Sequence, residues 1–148
     1  MKKIAIVTIV FLVLLSGLKV ENKFSLLNYY SGEYTVYTAS KTTEDGVNLG
    51  FCHMESKPTY EGVMGESMVM YNIEVGAIIK DINARVVKTE YLEDGTTIIY
   101  AFTNLINDNV KIDGKVVNFQ IAIKDERVVV GWPLILGSYW NNSFMYKK

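Results

Sequence analysis

The 148-residue chain carries one cysteine and one histidine, and they are adjacent, as Cys52-His53. A thiol activated by an imidazole is the chemistry such a pair would offer. Neighbours on a strand point to opposite faces of the sheet, so these two do not make a nucleophile with its base. One His and one Cys also fall short of the ligand set of an ordinary zinc site. His53 keeps period with Leu49 and Phe51, which predicts a packed, partly buried ring, and Cys52 lies in the same apolar run. Glu90 with Glu93, and Asp125 with Glu126, are the candidates for carboxylate acid–base work. Each pair lies beside a turn, where solvated charge is the ordinary state. Gly62-Val63-Met64-Gly65 has neither Gly-x-Gly-x-x-Gly spacing nor a closing Gly-Lys-Ser/Thr, so it does not predict a phosphate cradle. No catalytic residue, metal ligand or cofactor is expected.

The aromatic residues are better suited to contact than to chemistry. Tyr29, Tyr30, Tyr34 and Tyr37 cluster near the start, and Trp132, Tyr139 and Trp140 near the end. Both groups could rim a binding groove. Against this, Tyr34 and Tyr37 alternate with Thr35 and Val36 in the manner of a strand, and Trp132 suits a cap on the core. The binding candidates are Trp132, Tyr139 and Trp140, with the last two, just past Gly137-Ser138, the better placed for surface contact.

The elements that would position these side chains follow from hydrophobic period. With 49% hydrophobic and 21% charged residues and a formal net charge of -1, the chain has the composition of one packed domain and lacks the positive field of a nucleic-acid binder. Asp45-Gly46, Asp94-Gly95 and Asp113-Gly114 each part stretches rich in Val, Ile, Thr and Tyr, and predict hairpin turns. Asp94-Gly95, between Arg85–Leu92 and Thr96–Thr103, is the best of them and is expected to be a type I′ turn. Glu33–Ala39, Val47–Glu55 and Gly62–Tyr71 are expected strands. Lys115–Lys124 alternates throughout, with Val117, Phe119, Ile121 and Ile123 on a core face and Val116, Asn118, Gln120 and Ala122 on a wetter one. Val128–Gly131 is a short strand stopped by Pro133. Val75, Ile78, Ile79 and Ile82 fall at helical spacing, with Asn72 as the expected N-cap and an end near Asn83. Residues 18–32 are a linker or a short helix, and 33–148 form a single α+β domain.

Lys2 and Lys3 precede an apolar run from Ile4 to Leu15, followed by Ser16-Gly17. This predicts a secretory signal, either cleaved between Gly17 and Leu18 or retained as an N-terminal membrane anchor. A helix of about 15 residues spans about 22 Å, short of a hydrocarbon core of about 30 Å. Leu15-Ser16-Gly17-Leu18 matches the lipobox Leu-Ser-Gly-Cys except at the thiol that would carry the lipid. Removing Met1 to Gly17 takes away Lys2 and Lys3 and shifts the net charge from -1 to -3.

From Gly65 onward a series of segments stands out. A helix ends at Ile82-Asn83-Ala84 and is followed by Val86-Val87-Lys88 and by Thr97-Ile98-Ile99-Tyr100-Ala101-Phe102-Thr103. Then come Gly114-Lys115-Val116-Val117-Asn118-Phe119-Gln120-Ile121-Ala122 and Val130-Gly131-Trp132-Pro133-Leu134-Ile135-Leu136-Gly137-Ser138-Tyr139. Over roughly the last half of the chain this resembles the YwmB-like family of Gram-positive bacteria. Members of that family carry similar Gly-Lys-Lys-Val-Asn-Leu-Gln and Gly-x-Pro-x-Ile-x-Gly-Ser-Tyr segments and a longer N-terminal region. The resemblance implies an α+β fold in which a curved antiparallel sheet of hairpins packs on one main amphipathic helix, likened to the TATA-box-binding protein. It implies no activity, and a likeness of shape does not carry DNA binding with it. The expected function is that of an exported, non-enzymatic binding or accessory module of the cell envelope, secreted or membrane-anchored and facing outside. Its partner would be an envelope protein or polymer, or the membrane through an uncleaved N-terminal segment, and not nucleic acid. The alternative is an enzyme acting on cell-wall polymers with dispersed site residues, and literal TATA-box binding ranks last.

Overall fold

Nine strands and one helix are seen in the computed structural model, which describes residues 24–38, 46–54 and 62–135. The strands are β1 Gly32–Thr38, β2 Val47–Cys52, β3 Val63–Tyr71, β4 Arg85–Tyr91, β5 Thr97–Phe102, β6 Val110–Ile112, β7 Lys115–Val117, β8 Phe119–Lys124 and β9 Arg127–Trp132. The helix, α1, is Val75–Asp81, and a 3-10 turn at Leu26–Asn28 precedes β1. Seven strands pair in the order β2-β1-β3-β9-β8-β5-β4, every pair antiparallel, and β6-β7 form a separate hairpin. The class is α+β, with a large antiparallel sheet and one helix. The expected signal segment and the expected turn at Asp45 lie outside the described residues, as do Tyr139 and Trp140.

Period two determines what each face buries. Tyr34 pairs with Met68, Met68 with Val130, Val130 with Ile121 and Ile121 with Ile99, so one row of side chains crosses five strands on a single face. The 3-10 turn lays Leu26 and Leu27 on this face, α1 adds Ile78 and its C-cap adds Ile82, all four buried. The helix begins later than expected. Glu74 is its N-cap, while Asn72 takes a left-handed φ of 54° and its N–H donates to the Glu126 carbonyl at 2.9 Å. Asn tolerates that conformation, so it turns the chain out of β3 instead of capping α1.

The stretch Lys115–Lys124 is two strands parted at Asn118, and its second face is not wet. Asn118 and Ala122 are fully buried and Gln120 is 2% exposed. The Asn118 side chain accepts from Thr103 N at 2.8 Å and donates to the Thr103 and Ile106 carbonyls at 2.7 and 2.9 Å, closing the loop after β5. Over Gln120 and Ala122 lies the segment that leaves β9, where Ile135 N donates to Gln120 Oε1 at 2.9 Å. Gly131 makes this approach possible, because a Cβ there would stand 2.9 Å from the Ile135 Cα.

The hairpin turns also differ from expectation. At Asp94-Gly95 only Gly95 has a positive φ, and a longer loop closes through Leu92 N to Thr96 O at 2.8 Å. The two-residue turn with both φ positive is Asp113-Gly114, at 49° and 75°, where Ile112 pairs with Lys115. Gly114→Ala is expected to cost about 1–2 kcal/mol, measured as a lowered urea midpoint, because a Cβ is disfavoured in this region.

Candidate binding site

At the end of the sheet where β1 begins and β2 and β3 finish, a groove of about 510 Å³ opens between Tyr29, Tyr30, Phe51, Met54, Tyr71 and Ile73. Gly32, Glu33, Val69 and Met70 complete its lining. The strands bring these residues together: Glu33 pairs with Phe51 on one side and with Val69 on the other. The wall at Tyr30 is fixed, since its ring is buried and its hydroxyl lies 3.4 Å from Asp81 Oδ2 on α1. Burial, then the Asp81 carboxylate, hold this phenol well above its ordinary titration range. Tyr29 packs between Tyr30, centroids 6.1 Å apart, and Phe24, which stacks on it at 5.5 Å. Beyond β2, the Met54 N–H donates to Ser31 Oγ at 2.6 Å and holds Met54 at the mouth.

The rim is apolar and open. Phe51, Met54 and Tyr71 are 63%, 46% and 57% exposed, values far above those of packed residues of their types. An arrangement of aromatic and thioether surface around one carboxylate suits contact with an apolar or amphipathic partner.

The residues singled out for chemistry are scattered. Cys52 is half-buried against the core, its Sγ 3.9 Å from the Leu49 carbonyl. His53 is exposed, not packed: β2 is an edge strand that ends at Cys52, and among the described residues the imidazole meets the Phe51 ring edge-on at 5.2 Å. Glu93, Asp125 and Glu126 are exposed at turns. Gly62 sits in a turn, whereas Val63 to Gly65 are already strand. Among the described residues no cluster of His, Cys, Asp and Glu could hold a metal. Of the aromatic candidates, Trp132 is 2% exposed and lies in the core, the placement its alternation in β9 allows, while Tyr29 and Tyr30 do line the groove.

Two charged clusters escape the sequence reading. Glu66, 4% exposed, accepts from Ser25 Oγ at 2.7 Å, Leu26 N at 2.8 Å, Trp132 Nε1 at 2.6 Å and the Tyr34 hydroxyl. Burial, then this carboxylate, push the Tyr34 phenol far above its ordinary range. All four partners donate and Glu66 only accepts, so the cluster is a closed structural joint. Its one sequence signal is that Glu66 shares the face of Met68 and Met70.

The second cluster is Lys88, 2.5 Å from both Glu90 Oε1 and Asp113 Oδ2, with the Tyr100 hydroxyl donating to Glu90 Oε2 at 3.0 Å. It clips the β6-β7 hairpin to β4. The Lys88 ammonium holds the Asp113 and Glu90 carboxyls below their usual range, with Tyr100 contributing at Glu90. Their folded values being depressed, the stabilisation is present above pH about 4 and is lost as pH falls through the lowered values. Lys88→Met is expected to return both carboxyls upward in an NMR titration; unchanged values would dismiss the clip.

No protein-family model matches the chain, and neither a curated protein nor a solved structure matches it.

Proposed function

We propose that the chain is an exported, non-enzymatic binding or accessory module of the bacterial cell envelope, YwmB-like in its curved, TATA-box-binding-protein-like fold, and that it works through the aromatic groove. The observation that carries this reading is the open ring of Phe51, Met54 and Tyr71 around a groove of about 510 Å³. Exposed apolar side chains gathered at one place are costly to leave in water and mark contact surfaces. The Lys2-Lys3 start and apolar Ile4–Leu15 run support export, and the segments Gly114–Ala122 and Val130–Tyr139 support the family. Duplex DNA is not a partner in this reading. Asn118, Gln120 and Ala122, which would face it on an open sheet, are buried and carry no cation.

Cell fractionation with N-terminal sequencing tests the location. The protein is expected in the membrane fraction or the medium, with Leu18 as first residue of any processed form. Intact Met1 in the cytosol would overturn the proposal. Photo-crosslinking residues at positions 51 and 71 are expected to capture an envelope component, whereas the same group at Thr89, exposed on β4, should not.

A further inference from the structure

The groove lies beside the point where the described chain begins. Phe24 stacks on Tyr29, and Tyr29 is a groove wall. Only six residue steps separate Leu18 from Phe24, a reach of at most about 20 Å even when fully extended, and from Leu15 the reach is about 30 Å. The joint at Glu66 fastens this stretch by its first residues, since Ser25 Oγ and Leu26 N both donate to that carboxylate. A bilayer holding the apolar run is therefore within a short tether of the exposed aromatic rim.

The rim residues suit that zone. Tyr and Phe are amphipathic or apolar rings that rest at the boundary of headgroups and acyl chains, and Met adds adaptable apolar surface. Charge decides what kind of membrane contact this is. Tyr71 pairs with Arg127, and the exposed Asp125 and Glu126 stand at the same end of the sheet, as does the exposed Glu74 before α1. Among the described residues this end carries Asp125, Glu126 and Glu74 against Arg127 and Lys124, and an end with more acidic than basic groups gains nothing from anionic headgroups.

We infer that the aromatic end of the sheet is a lipid-contact surface, with Phe51, Met54 and Tyr71 seated in the interfacial zone of the bilayer that holds the N-terminal segment. The inference rests on the reading of that segment as a retained anchor. Contact runs through apolar burial, so it forms on zwitterionic lipid and persists in high salt.

The test uses the full chain in phosphatidylcholine vesicles, with Cys52→Ser as background and single cysteines carrying a nitroxide. Met54→Cys and Tyr71→Cys report the rim. Val86→Cys and Leu105→Cys, exposed at the opposite end of the sheet, serve as controls. All four are surface positions, and matching circular dichroism shows that the fold is kept. Collisions with oxygen are expected to exceed those with a water-soluble nickel chelate several-fold at 54 and 71, with the reverse at 86 and 105. That contrast should survive 0.5 M salt, about ten times the concentration at which surface attraction is strong. If the chain floats with the vesicles but 54 and 71 are as aqueous as 86 and 105, the lipid contact is wrong and the anchor stands. If the chain does not float, the anchor fails and the lipid contact fails with it. Rim labels immobilised equally with and without lipid would point to a second copy of the chain and overturn the inference.

Discussion

Glu66→Ala is expected to lower stability by about 3–5 kcal/mol, a large share of the roughly 5–15 kcal/mol that holds a domain of this size. The truncation removes the acceptor from four donors at once. Tyr34, Trp132 and Leu26 are buried, and bonds to a charged group contribute about 1.5–3 kcal/mol each where no water replaces them. Because Ser25 Oγ and Leu26 N both donate to this carboxylate, the 3-10 turn should loosen first. Urea unfolding followed by tryptophan fluorescence is the measurement, and Trp132 reports directly, since its Nε1–H bonds Glu66. Glu66→Gln keeps the shape but sets an amide N–H₂ against donors, and should also destabilise, by less. A loss under about 1 kcal/mol for Glu66→Ala would mean that the donors find other partners.

The second large effect is at β8. Phe119→Asp and Ile121→Asp are expected to unfold the domain or cost several kcal/mol, since both positions are fully buried among apolar side chains and an unpaired carboxylate has no compensating donor. Gln120→Asp should be damaging too, in contrast to what a wet face would imply. Its site is 2% exposed and closed by Ile135. The loss should nevertheless be smaller than at Ile121, because the Ile135 N–H remains to donate to the new carboxylate. Thr89→Asp, exposed on edge strand β4, is the control and should move the midpoint little. A Gln120→Asp midpoint equal to the control would contradict the burial of that face; one equal to Ile121→Asp would contradict the assigned polarity of the two sides.

That contrast shows where the sequence is legible. Alternation in Phe119, Ile121 and Ile123 gives the strand and its main core face, because period two is local. It does not reveal that a segment fifteen residues later folds over Gln120, since the covering contact at Ile135 depends on the course of the chain after Trp132. Helical spacing at Val75, Ile78, Ile79 and Ile82 likewise places the helix but not its start, since Asn72 is equally suited to a cap and to a left-handed turn. The groove is harder still. Its walls come from residues 29–33, 51–54 and 69–73, which meet only through the pairings of β1 with β2 and β3. Tyr29 and Tyr30 are visible as a cluster, yet Phe51 and Tyr71 look like ordinary strand residues. Glu66 is hidden for the same reason, its donors lying 32, 40, 41 and 66 residues away.

The strand order has a kinetic consequence. Among the described residues β9 is the last strand in the chain yet stands at the centre of the sheet, joining β2-β1-β3 to β8-β5-β4. The pairing of Glu66 with Trp132 closes a long loop whose entropy must be met before the contact returns anything, so this pairing is expected to form more slowly than the local hairpins. Until residue 132 is available, β3 keeps one edge open and the joint at Glu66 lacks its indole donor. A chain that emerges residue by residue from its N-terminus would therefore complete its native sheet only after β9 had emerged.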